Sequence, residues 1–97
     1  MLALFFAVPA WADTHTVKVV EYRFEPSSLR IKTGDTVRWL NAEKRTSHSV
    51  RFPGLGGLES DRFFPDETWS MRFEQPGRHD YHCGPHPEMK GQIVVED

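Results

Sequence analysis

Hydrophobic and polar residues alternate along most of this chain, in short runs. Thr16-Val17-Lys18-Val19-Val20-Glu21-Tyr22-Arg23 is rich in β-branched residues and is bounded by Pro26-Ser27-Ser28. Leu29-Arg30-Ile31-Lys32 then alternates up to the turn Thr33-Gly34-Asp35, and Thr36-Val37-Arg38-Trp39-Leu40-Asn41 alternates again with Val37 and Trp39 on one face. After the polar stretch 42–47, His48 opens a further run in which Val50 and Phe52 keep the same phase. Glycine supplies three of the six residues Pro53-Gly54-Leu55-Gly56-Gly57-Leu58, which predicts a loop. Beyond it Trp69, Met71 and Phe73 share a face, Gln75-Pro76-Gly77 turns the chain, and strands are expected over 78–83 and 91–96, flanking an irregular 84–90. About seven short strands with turn signals between them, and no apolar stripe of helical period, predict an all-β sandwich or barrel.

Residues 1–12 (MLALFFAVPAWA) break this pattern. They carry no charge and end in the small-x-small sequence Ala10-Trp11-Ala12 before the polar Asp13-Thr14-His15, the form of a secretory signal cleaved after Ala12. Crossing a bilayer takes roughly 20 apolar residues, more than run here, so no membrane span is expected. Residues 13–97 are then a single domain exported to the periplasm.

Composition narrows the function. With 12 Lys+Arg against 14 Asp+Glu the formal net charge is −2, without the basic excess that binding to nucleic acid demands. The single cysteine excludes an internal disulfide framework and a four-cysteine zinc site. Outside the cytoplasm a free thiol needs protection, which metal ligation supplies.

The chemistry is concentrated in Cys83-Gly84-Pro85-His86-Pro87-Glu88-Met89, which spaces a thiolate, an imidazole and a thioether three residues apart. Sulfur and nitrogen donors together favour copper over magnesium, calcium or manganese, and two imidazoles with one thiolate and a weak axial methionine make an electron-transfer copper site. The second imidazole is expected from His48, 35 residues before Cys83. A nucleophilic Cys–His enzyme is the rival reading. It needs a cleft, an oxyanion hole and an orienting third group, for which a short strand-rich chain has little room. Strand alternation puts Tyr81 and Cys83 on one face and Asp80 and His82 on the other, so His82 is expected to point away from the metal. His79 is expected to be structural. Cleavage after Ala12 would leave an amine on Asp13 with His15 in third position, a nitrogen set suited to square-planar Cu(II) or Ni(II).

The stretch from Thr33 to Asn41, His48, Pro76-Gly77, the run from Asp80 to Met89 and Gly91 together resemble the cupredoxins, the small blue copper proteins, over nearly all of 13–97. The resemblance implies an antiparallel Greek-key sandwich of about seven or eight strands. It implies one type 1 copper held by His48, Cys83 and His86 in a plane, with Met89 axial, and His86 at an apolar surface patch stiffened by Pro85 and Pro87. It further implies a monomeric periplasmic carrier cycling Cu(I)/Cu(II), not an enzyme, that exchanges electrons with a redox partner such as a c-type cytochrome or a dehydrogenase. Ser49 departs from the family, whose members often have Asn after the first histidine. A second reading is a periplasmic copper-binding protein for resistance or delivery. It would favour His-rich or Met-rich tracts, which the chain lacks, and only the His15 site speaks for it.

Overall fold

A computed structural model describes residues 12–97. The expected export signal lies outside the described residues, apart from Ala12. Among the described residues nine strands run in chain order: β1 (Thr14–Val20), β2 (Arg23–Glu25), β3 (Ser28–Lys32), β4 (Thr36–Asn41), β5 (Arg51–Phe52), β6 (Leu58–Glu59), β7 (Thr68–Arg72), β8 (Gly77–His82) and β9 (Lys90–Glu96). They form one sheet of order β2-β1-β4-β7 and a second of order β3-β9-β8-β5-β6. Alternation decides the faces. Val17, Val19, Val37 and Trp39 from the first sheet and Ile31, Phe52, Tyr81, Ile93 and Val95 from the second share one buried core. Trp39 is its centre, with the rings of Phe52, Trp69, Phe73 and Tyr81 at centroid distances of 6.1, 5.4, 6.5 and 5.4 Å.

The expected sandwich is therefore present, with differences of detail. The run 16–23, read as one strand, is two: Glu21 and Tyr22 both take positive φ (52° and 57°), and the chain reverses so that Val20 pairs with Arg23. Two successive left-handed residues define the tight hairpin turn usually built from Asn-Gly, and neither residue here announces it. In 53–58 a 3₁₀ turn, Pro53–Leu55, is ended by Gly56 in the left-handed conformation, and Leu58–Glu59 returns to pair with β5. Pairing is also mixed. The β1–β4 and β3–β9 pairs are parallel, the others antiparallel, because the chain leaves the first sheet for β3 before returning to it as β4.

One buried carboxylate fastens the start of the domain. Asp35, 4% exposed, accepts hydrogen bonds from the backbone N–H groups of Asp13 (2.9 Å) and Lys32 (3.0 Å) and lies 2.9 Å from His15 Nε2. The bond to His15, reinforced by the two backbone donors, holds the Asp35 carboxyl at about 2 against the opposing effect of burial. A depressed carboxyl pKa stabilises the folded state above the ordinary value of 3.8, and that contribution is lost as the pH falls through about 2. Asp35→Asn is expected to remove this acid-side dependence and to lower unfolding stability at neutral pH by about 1–3 kcal/mol. Denaturant midpoints measured from pH 2 to 7 check it: identical curves for the two proteins would contradict the role assigned to Asp35.

Candidate metal centre

The site is built from the β4–β5 connection and the loop from β8 to β9. Asn41, the fully buried last residue of β4, shapes the first: its Nδ2 donates to the carbonyls of Thr46 (2.7 Å) and Phe63 (3.0 Å), and its Oδ1 accepts the N–H of Glu43 (2.9 Å). His48 follows, clamped by reciprocal backbone bonds with Phe63 of 3.1 and 2.9 Å. The antiparallel β5–β8 pair sets Arg51 opposite His82, and the same register continued past both strand ends brings Ser49 beside Gly84. The second loop closes on itself, the N–H of Cys83 donating to the carbonyl of Met89 (3.0 Å) and the N–H of Met89 to that of His86 (2.9 Å).

These constraints converge on one sulfur. Cys83 Sγ lies 3.6 Å from His48 Nδ1 and 3.5 Å from His86 Nδ1, and the donor atoms of the three residues all fall within 4.8 Å of one another. His48 and Cys83 are fully buried and Met89 nearly so, while His86 is half-buried. The N–H of Ser49 donates to Cys83 Sγ at 3.4 Å. Burial pushes the Cys83 thiol up, and burial followed by the nearby His86 pushes His48 down. His48 is thereby kept in the neutral form that ligates metals, whereas the thiol needs a cation to release its proton. A buried thiol between two imidazole nitrogens is the donor set of a soft, nitrogen-tolerant metal ion, and it fits copper.

Of the four residues singled out in the sequence, the structure brings His48, Cys83 and His86 into contact and places Met89 in the interior at the end of the same loop. His82 is turned aside, with Nδ1 2.9 Å from the Cys83 carbonyl oxygen. His79 packs at a tilt against Phe73, with ring centroids 5.6 Å apart, and bonds the Gln75 carbonyl, a structural role. His15 is paired with Asp35, and its backbone lies in β1 opposite Val37 of β4. A square plane of Asp13 and His15 nitrogens would require β1 to leave its neighbour. Asp13, His15 and Asp35 do bring ligand atoms within 4.8 Å, but the Asp35 carboxylate is already engaged by all three of its partners.

Two residues at the site carry no sequence signal. Tyr22 packs edge-on against His48 (5.7 Å) and His86 (5.0 Å), and its hydroxyl is hydrogen-bonded to that of Thr46 at 3.1 Å. Glu43 accepts the Tyr22 N–H at 2.8 Å and sets the same carboxylate oxygen 3.5 Å from His48 Nε2. The left-handed backbone at Tyr22 is thus a local strain held by contacts to the site.

A family model described as a cupredoxin-like domain matches residues 1–95. The chain belongs to the cupredoxins, and it is an electron-transfer protein with one type 1 copper, not an enzyme. It is 40% identical to amicyanin-alpha of Methylorubrum extorquens over 89 residues, covering 88% of this chain and 74% of the relative. It is 37% identical to amicyanin of Paracoccus denitrificans over 96 residues, covering 94% and 72%. A solved Cu(I) form of an amicyanin point mutant superimposes with a TM-score of 0.82 at 35% identity, over 95% of this chain and 90% of that one.

Asn41→Ala removes three hydrogen bonds, taking this partner from the Thr46 carbonyl and the Glu43 N–H and leaving the Phe63 carbonyl with the His48 N–H alone. It is expected to destabilise the protein by about 2–3 kcal/mol, read from urea unfolding, and to loosen the approach to His48. A change within about 0.5 kcal/mol would contradict the role given to Asn41.

Proposed function

We propose that His48, Cys83, His86 and Met89 hold the copper, and that the mature chain, residues 13–97, carries single electrons in the periplasm as a monomer. The observation that carries this reading is the Cys83 sulfur set between two imidazole nitrogens in the protein interior. Bound copper supplies the one-electron Cu(I)/Cu(II) couple. Around it the residues divide the work. Cys83 would give up its proton to offer a thiolate, His48 would offer a neutral nitrogen shielded from water, and Met89 would offer a weak thioether sulfur. Backbone bonds from Cys83 to Met89 and from Met89 to His86 hold the loop closed whichever oxidation state is bound.

His86 is the ligand that reaches the surface, flanked by Pro85, the exposed Pro87 and the half-exposed Tyr22 ring. This rim is the docking face for a redox partner, a c-type cytochrome or a dehydrogenase. Export rests on the uncharged leader with its small-x-small end and on a free cysteine that metal ligation protects. Among the described residues no helix is long and apolar enough to cross a membrane. Copper delivery is the weaker reading, since the nitrogen set that favoured it is occupied: the His15 ring is bonded to Asp35 and its backbone is paired in β1.

Titration of the chain from Asp13 with Cu(II) is expected to develop an intense thiolate-to-copper absorption that saturates at one equivalent, and Cys83→Ser to abolish it. Stopped-flow mixing of the reduced protein with an oxidised c-type cytochrome is expected to show rapid electron transfer without copper transfer. Handover of copper without oxidation of the bound metal would support delivery instead.

A further inference from the structure

Ser49 is fully buried and makes three polar contacts on the thiolate side of the site. Its N–H donates to Cys83 Sγ (3.4 Å), its hydroxyl accepts the N–H of Gly84 (2.9 Å), and the same hydroxyl donates to Glu59 Oε2 (2.7 Å). Glu59 comes from β6, the two-residue edge strand, and its second oxygen lies 3.7 Å from Arg51 Nη1 on the paired strand. A hydroxyl has one proton and rotates freely unless that proton is committed. Glu59 commits it, leaving a lone pair directed at the Gly84 N–H. A carboxylate acceptor makes this the stronger kind of hydrogen bond.

The bridge also explains the residue after the cysteine. A Cβ on Gly84 would lie 2.7 Å from Ser49 Oγ and nearer still to Glu59 Oε2, so the backbone approach needs glycine.

We propose that Ser49 and Glu59 are positioning residues of the metal centre: their hydroxyl–carboxylate bridge clamps the Cys83-Gly84 turn onto His48-Ser49 and fixes the N–H···S bond to Cys83. The proposal rests on the copper site described above. Two consequences separate the bridge's geometry from its charge. Breaking the bridge frees Gly84 and lets the sulfur move relative to both imidazoles. Removing only the negative charge leaves the geometry, but withdraws an anion whose field favours the more positive Cu(II) form, so the reduction potential rises.

The test uses Ser49→Ala, Glu59→Ala and Glu59→Gln in the full mature chain. In the metal-free, reduced protein the Gly84 amide is expected to exchange with solvent at least about tenfold faster in S49A and E59A than in the parent, while the β4 amides keep their protection. Loaded with copper, these two variants are expected to show a shifted thiolate-to-copper band and faster copper loss to a chelator. Glu59→Gln, which keeps an acceptor for Ser49, is expected to retain the parent's Gly84 protection and spectrum with a raised potential. Gly84 exchange, band position and copper-loss rate all matching the parent in S49A and E59A would overturn the proposal. The amide measurement needs no metal, so a parent that forms no thiolate band would refute the copper site and leave the bridge to be judged on exchange alone.

Discussion

A thiol without access to water, set 3.5 and 3.6 Å from two imidazole nitrogens, is the arrangement on which the rest of this molecule depends. Burial raises the Cys83 thiol and lowers His48, so each is driven to its neutral form when no cation is present. Such a pocket is poor packing for its own sake, because its polar atoms face one another more than they are satisfied. A cation reverses the balance: it takes the thiolate and the neutral nitrogens as ligands and returns binding free energy to the folded state.

The sandwich supplies the rigidity that this demands. The β5–β8 register lines Ser49 up with Gly84, the Asn41 side chain fixes the loop that delivers His48, and the aromatic cluster around Trp39 ties the two sheets behind both. Each ligand is therefore held by bonds that do not involve the metal. A one-electron carrier benefits from that, since a site whose protein frame does not relax between oxidation states has little reorganisation to perform. At the opposite end Asp35 does a purely structural job, joining the start of β1 to the β3–β4 turn.

What could be read from the chain and what could not divides along sequence distance. Period-two alternation located β1, β3, β4, β7, β8 and β9 because their core faces are set by side chains two residues apart. Cys83, His86 and Met89 were legible as a three-residue spacing on one loop, and His48 as a polar residue in phase with Val50 and Phe52. The two-residue β6, the left-handed Glu21-Tyr22 turn and the two parallel pairings were not: β6 is too short to show a pattern, and the others are decided by partners far along the chain. Ser49 illustrates the limit. Its departure from the family's usual asparagine was visible, but the bridge that Ser49 forms with Glu59, ten residues on, appears only in three dimensions. His15 shows the converse, a local motif with a plausible chemistry that Asp35, 20 residues away, has already claimed.

Whether the fold presents a ready copper site at Cys83 can be seen in a crystal structure of the copper-loaded mature protein, with anomalous data on either side of the copper edge. A single anomalous peak is expected inside the triangle of Cys83 Sγ, His48 Nδ1 and His86 Nδ1, on the side of Met89, with the surrounding backbone unmoved. A peak at Asp13, His15 and Asp35 instead, or a site reached only after the Cys83–Met89 loop had rearranged, would contradict it.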